Sequence, residues 1–420
     1  MKVLLINTSE RYGGAAVAAG RLQEALKNNG VKATMLVRDK QTNRTDVVAL
    51  PHGWRTAWNF VWERVVIWAA NRFERDRIFA VDIANTGTDV TALPEFSEAD
   101  IIHLHWVNQG MLSLRDLGRI LASGKPVVWT MHDLWPATGI CHYPRQCPSY
   151  REAEGCRQCP ILRSRKRHGL AHRVFQQKMR LYKTGHITFV GCSRWIADMA
   201  RESRLLQGQT VVSIPNPINT SLFRPHDMQA ARARCGLPQE GRLLLFGSVK
   251  ITDKRKGIDY LVEACRLLAR QKPELRQTMG VVLFGNDSNV EQVSTLLPFR
   301  TYGLGYIRDE HRLVDIYNAV DLYVTPSLED NLPNMIMEAM ACGTPCVGFN
   351  TGGIPEMIDH LHNGYVARYQ SAEDLANGIC WTLNEGDYQS LSEQAVRKVA
   401  ARYAEPVVAR QFIELYNRLA

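Results

Sequence analysis

The chain has 420 residues, with 51 Lys and Arg, 42 Asp and Glu, 12 His and a formal net charge of +9. Hydrophobic residues make up 45% and charged residues 22%; this excludes a disordered or fibrous chain and predicts two or three domains, at about 100–200 residues each. Ten Lys and Arg and no acid fall within residues 155–197, and the rest of the chain balances to −1; the basicity is one local surface, which argues against a general nucleic-acid-binding protein.

At the start, residues 3–6 read as a buried strand, too short for the apolar core of a secretory signal. No run of 18 apolar residues follows, so no membrane-spanning helix is expected. The expectation is a cytoplasmic protein whose ten Cys are reduced thiols or metal ligands. Strands are predicted at 34–37, 101–105, 127–131 and 188–190, with helical spacing at 15–28 and 114–122. The pattern then restarts, with strands at 243–246, 281–284, 301–302, 322–325 and 346–348 and helices at 258–270, 309–318 and 334–340. Strand then helix, repeated, predicts α/β domains with doubly wound parallel sheets. The Pro-rich stretch 214–219 (Ile-Pro-Asn-Pro-Ile-Asn) is the expected hinge between residues 1–213 and 214–402. In open α/β sheets ligands sit at the carboxyl ends of strands, so the chemistry is expected there, in a cleft between two such domains.

Four motifs occupy those ends. Gly13-Gly14 lies in the first strand-to-helix turn, where it either admits an anion near the helix amides or merely packs. It belongs to neither Gly-x-Gly-x-x-Gly nor a P-loop, which argues against a nicotinamide dehydrogenase and a P-loop NTPase. His132 ends the strand at 127–131; its ring either faces a ligand or bonds to Asp133. Arg255-Lys256-Gly257 precedes a helix, a place suited to phosphate, although a solvated charge run has the same look. Asp330 and Glu338 are eight residues apart in a turn that runs into an apolar helix begun by Pro333. Asp330 alone could be a helix cap, but a carboxylate at Glu338 calls for hydrogen-bond donors such as sugar hydroxyls.

These motifs, together with Ile214-Pro215-Asn216-Pro217, Glu338-Ala-Met-Ala-Cys-Gly-Thr-Pro and Gly352-Gly353-Ile354-Pro355-Glu356, resemble the retaining glycosyltransferases of family 4. They do so in family order and along nearly the whole chain. The resemblance implies the GT-B fold, two Rossmann-like domains, with a C-terminal helix at 403–420 returning to the N-terminal domain. It implies a UDP- or GDP-sugar donor, no cofactor for catalysis, and Glu338 on the ribose. Lys256 and Arg255 would neutralise the diphosphate, and Asp330, with Asn331 and Asn334 after it, would meet the transferred sugar and phosphate. His132 would touch the sugar, and Gly13 and Gly14 would close over the diphosphate. Departures are Asp330 in place of the family's Glu, Pro333 in place of a glycine, and Ser248 in place of an Arg. They motivate an alternative, a binding or regulatory protein with a degenerate donor site. The setting implied is hexosyl transfer to a glycan or lipid-linked glycan in bacterial surface polysaccharide assembly, with no nucleic-acid partner.

Cys141, Cys147, Cys156 and Cys159 pack four thiols into one loop; they read as a structural zinc site, free thiols or a redox pair. This loop resembles one in capsule and colanic-acid type glycosyltransferases. Residues 163–183 read as a basic amphipathic helix that docks on an anionic inner membrane surface, which would make the protein peripheral there. Trp54, Trp58 and Trp62 share one face of a helix at 54–69, and that face is expected to point into the core.

Overall fold

A computed structural model describes residues 1–420 except His52, Asp76 and Asn286, and omits the side chains of Asp287, Ser288 and Asn289. The chain forms two α/β units, Met1–Pro217 with Val408–Ala420, and Ile218–Val407. The divisions fall a few residues beyond the expected 213/214 and 402/403. The reason is local pairing: Ile218 donates its N–H to Tyr403 O at 2.8 Å and accepts from Glu405 N at 3.0 Å, which holds both crossing segments in the second unit.

The first unit contains β1 (Lys2–Ser9), β2 (Lys32–Asp39), β3 (Val47–Ala49), β4 (Ile101–Leu104), β5 (Val127–Met131), β6 (Ile187–Gly191) and β7 (Thr210–Ser213). All pair in parallel, in the order β3-β2-β1-β4-β5-β6-β7. Side chains of a strand alternate between faces, and β1 fills a core on each side. Leu4 and Ile6 pack with Ile102, Leu104, Trp129 and Phe189. Val3 and Leu5 pack with Leu22, Leu26, Met35 and, from the C-terminal helix Glu405–Leu419, Phe412 and Tyr416. Each such buried side chain contributes about 1.5–3 kcal/mol.

The second unit contains β8 (Arg242–Gly247), β9 (Met279–Phe284), β10 (Arg300–Gly303), β11 (Leu322–Thr325), β12 (Cys346–Phe349) and β13 (Gly364–Ala367), in the order β10-β9-β8-β11-β12-β13. Its core joins Leu244, Phe246, Val281, Leu283, Leu322, Val324, Val347 and Phe349. In each sheet the order reverses at the first strand of the unit, β1 between β2 and β4, β8 between β9 and β11. The loops after β1, β4 and β5 therefore share one sheet edge, and those after β8, β11 and β12 share another.

Two helical expectations are corrected. Only Leu170–Tyr182 of the basic segment is helical, and its apolar face is in the core, with Val174, Phe175 and Tyr182 buried. Its Lys178 is buried too, donating to Trp135 O at 2.6 Å and Thr138 O at 3.1 Å. This helix has no apolar face left for a membrane. Conversely, in the helix Gly53–Ala70 Trp54, Trp58 and Trp62 are 71%, 61% and 46% exposed, so the Trp face points outward. The helix buries the opposite side, through Glu63, Arg64 and Ile67, because Arg64 reaches Asp82, Glu63 accepts from the amides of Ile83 and Ala84, and Ile67 joins an apolar cluster.

Candidate active site

In the second unit the turn Lys254–Lys256 is capped by Asp253, whose side chain accepts from Arg255 N. Gly257 follows with φ +71°, and a Cβ there would stand 1.9 Å from Pro326 O. Only glycine lets this turn close on the end of β11, where Leu328 N donates to Arg255 O at 2.8 Å. The docking places Lys256 Nζ 2.6 Å from Asp330 Oδ2. Burial would raise the Asp330 carboxyl, but Lys256, then Arg255 and Ser327 hold it below its ordinary value. Asp330 is fixed from behind by Gly352 and Gly353: Gly353 N donates to Asp330 O at 3.1 Å, and a Cβ on Gly352 (φ +60°) would stand 1.8 Å from that oxygen. Arg255 turns its guanidinium to Asp253, Nη2 to Oδ2 3.3 Å.

The turn leads through buried Asn331 and half-buried Asn334 into the helix Asn334–Ala341. Pro333 occupies its N-cap and supplies no side-chain cap. Glu338 is buried one turn in and accepts a 2.7 Å bond from Tyr317 Oη. Burial, then the Glu338 charge, pushes the Tyr317 phenol well up, so it stays a donor. Tyr317, from the helix Glu310–Ala319, is a site residue that the sequence reading missed. Tyr323 feels the charge of both Asp330 and Glu338, which ties the two carboxylates to one neighbourhood. Ser248, standing where the family has Arg, is buried and bonds Lys250 O at 3.2 Å.

In the first unit Gly13 caps the helix Gly14–Asn28 with φ +91° and no side-chain cap. A Cβ at Gly13 would meet nothing within 4 Å; backbone conformation rather than space requires the glycine. His132 neighbours Asp133 in sequence and feels its charge, and its ring also has partners at the ends of other strands. Its Nε2 lies 3.0 Å from His105 Nδ1 and its Nδ1 3.5 Å from Cys192 Sγ. His103 stacks on His105 with centroids 4.3 Å apart, and bonds Tyr416 Oη at 2.6 Å and Thr130 Oγ1 at 2.7 Å. His103 and His105 are two apart, so they share a face of the β4 segment; that His-x-His spacing at a strand end was the available signal.

Asp133 has partners of its own: Trp106 Nε1 at 2.9 Å, Trp135 N at 2.9 Å and His142 Nδ1 at 2.7 Å. His142 Nε2 reaches Asp82 at 2.6 Å, and Asp82 pairs with Arg64. Burial opposes a charge on His142, yet Asp133 and Asp82 raise it to about 10. It is an imidazolium at neutral pH, clamped between two carboxylates.

These shifts give a pH prediction. Burial depresses His103 to about 3 and His132 to about 4. From pH 6.5 down to 4 the unfolded chain takes protons that these rings refuse, so stability falls with acid. His142 has the opposite sign: its stabilisation is full below 6.5 and is lost as pH rises toward 10. Melting temperature against pH should therefore form a dome. Replacing His142 with Gln should lower stability at neutral pH by about 3–5 kcal/mol, since it breaks a buried charge cluster, and should flatten the alkaline limb. An unchanged alkaline limb would contradict the clamp.

Known proteins share the fold. A model described as Glycosyltransferase Family 4 matches residues 12–222, and one described as Glycosyl transferases group 1 matches 240–385. The chain is 28% identical over 344 residues to a D-inositol 3-phosphate glycosyltransferase of Thermobispora bispora, covering 78% of this chain and 72% of that one. It is 30% identical over 218 residues to a second, from Catenulispora acidiphila, covering 49% and 50%. Sucrose-phosphate synthase of Thermosynechococcus elongatus superposes with TM-score 0.66 at 21% identity, covering 100% of this chain and 99% of that one. The HepE protein of Anabaena in complex with UDP-glucose does so with TM-score 0.63 at 17% identity, covering all of both chains. The two α/β units are thus those of the GT-B glycosyltransferases. The chain belongs to glycosyltransferase family 4, and it is a glycosyltransferase.

Proposed function

We propose that the chain transfers a hexosyl unit, with retention at the anomeric carbon, from a UDP- or GDP-sugar to a glycan or lipid-linked glycan acceptor. The 2.6 Å pairing of Lys256 with Asp330, eight residues before buried Glu338, carries this reading: a cation suited to phosphate and two carboxylates suited to sugar and ribose hydroxyls follow one another at a single sheet edge. The HepE structures hold UDP and UDP-glucose, which supports a uridine donor.

On binding, the diphosphate draws Lys256 from Asp330 and frees that carboxylate for the sugar hydroxyls. The bond from the anomeric carbon to the diphosphate oxygen then breaks. Charge developing on the leaving group is met by Lys256, Arg255 and the uncapped helix amides after Pro333. The acceptor oxygen bonds the anomeric carbon from the face the phosphate leaves, and its proton passes to that phosphate. NMR of the product from an α-linked donor should show an α-linkage; a β-linked product would contradict retention.

The exposed Trp face favours an acceptor held at an anionic membrane. Trp58 and Trp62 stack with centroids 6.3 Å apart, Arg55 lies 5.2 Å over the Trp54 ring, and Val61 and Val65 are exposed on the same helix. Aromatic rings with cations suit the headgroup layer. The protein should float with phosphatidylglycerol vesicles, and replacing Trp54, Trp58 and Trp62 with Ser should leave it in the soluble fraction. The names of the sequence relatives favour a second reading, a phosphorylated polyol as acceptor; sugar transfer to inositol phosphate without vesicles would select it.

A further inference from the structure

Between the short turn that ends at Ala137 and the helix that starts at Leu170 the chain has no helix or strand. Stretches of that length without regular structure are uncommon inside a compact domain and need something to hold them. The apolar supply is modest: Ile140, Leu162 and Ala171 belong to a small satellite cluster. What the segment does contain is sulfur. Cys141, Cys147, Cys156 and Cys159 all line one cavity, together with Arg157, Tyr150 and Pro160. All four are free thiols, Cys141 and Cys159 buried, Cys147 and Cys156 half-buried.

Backbone N–H groups point at two of the sulfurs. Gly139 N donates to Cys156 Sγ at 3.2 Å. Cys159 Sγ accepts from the N–H groups of both Ile161 and Leu162. Cys156 and Gln158 hold the left-handed conformation, φ 49° and 48°, which non-glycine residues adopt at a cost when the surroundings demand it. All four line the one cavity, so they form one group rather than two separate couples. Arg157, which pairs with Glu154, lines the same cavity, and Lys178 lies close to Cys156.

We propose that Cys141, Cys147, Cys156 and Cys159 form a structural site for a single divalent zinc ion. Among the described residues no three His, Cys, Asp or Glu side chains already have a metal-holding arrangement; the thiols turn inward on binding. Four Zn–S bonds form, at about 2.3 Å each, and four S–H protons leave to solvent. The resulting net charge of −2 on the cluster is met by the amide donors, Arg157 and Lys178. The consequence is positional. The tied segment carries His142, the clamp on Asp133 beside His132, so the metal would set the rigidity of the first-unit site without touching substrate.

The test is elemental analysis of the full chain purified without chelator, with thiol titration by an organomercurial. The expected result is about one zinc per chain, released as about four thiols are titrated, and lost in Cys147→Ser. Cys147 is half-buried and, unlike the other half-buried ligand Cys156, does not accept the Gly139 N–H, so its replacement should spare the fold most; if the variant is insoluble, the release stoichiometry on the native chain decides alone. Zinc loss should lower the melting temperature of the first unit. Four free thiols without metal, disulfides found by mass after alkylation, or zinc retained in both Cys147→Ser and Cys156→Ser would each overturn the assignment.

Discussion

Lys256→Ala is expected to lower kcat for sugar transfer by about 100- to 1,000-fold, the usual loss when one preorganised group facing developing charge is removed. The side chain has two tasks. In the free protein it neutralises Asp330 at 2.6 Å; in the proposed reaction it would meet the leaving diphosphate. Its removal leaves Asp330 largely buried and without its main cation, so the carboxyl should climb above its present depressed value. Activity would then fall further at mildly acid pH, where the protonated form no longer accepts from a sugar hydroxyl. The effect must be separated from loss of fold. Lys256→Ala with Asp330→Asn removes the uncompensated charge and should recover melting temperature but not kcat. Steady-state kinetics and melting curves on the two variants check this, and full transfer activity in Lys256→Ala would remove Lys256 from the chemistry.

Glu338→Gln is expected to weaken donor binding by about 10- to 100-fold while leaving the fold intact. A hydrogen bond from a hydroxyl to a carboxylate contributes roughly 1.5–3 kcal/mol, and an amide accepts it less well. The choice of Gln matters. Tyr317 donates to Glu338 at 2.7 Å in a buried setting, and an alanine would leave that hydroxyl unpaired at about 1–3 kcal/mol. The Gln side chain keeps an acceptor for Tyr317 and the same volume. Calorimetric titration of nucleoside diphosphate into both proteins, with melting temperatures beside it, reads the two effects separately. Equal affinities would mean that Glu338 serves only Tyr317.

The sheets were legible because their central strands are short apolar runs, such as Val3–Ile6, that alternate with helical spacing. The strands left unread, β3, β7 and β13, are edge or near-edge strands of three or four residues, too brief for periodicity to register. The residues proposed to meet the donor stood out because Lys256-Gly257 and Asp330 to Glu338 are contiguous stretches in which turn chemistry and charge coincide. Their partners were not: Tyr317 lies 21 residues from Glu338, and Asp82 60 residues from His142. Such contacts depend on sheet order, which local pattern does not encode. The two amphipathic helices were read with their faces interchanged for a related reason. Hydrophobic spacing identifies an apolar stripe but not its neighbour. The Leu170–Tyr182 stripe found the sheet, and the Trp stripe was displaced outward by the Arg64 and Glu63 side of its helix, which has Asp82 and the amides of Ile83 and Ala84 to bind.

The most direct test of the central claim is calorimetric binding of UDP, GDP and ADP to the purified chain and to Glu338→Gln. One uridine or guanosine diphosphate is expected to bind the native chain, and Glu338→Gln to weaken that binding at least tenfold. At about 100 times its Kd that ligand should also stabilise the native chain by about 2.7 kcal/mol. Binding of none of them, or equal binding to both proteins, would contradict the placement of the donor at Lys256, Asp330 and Glu338.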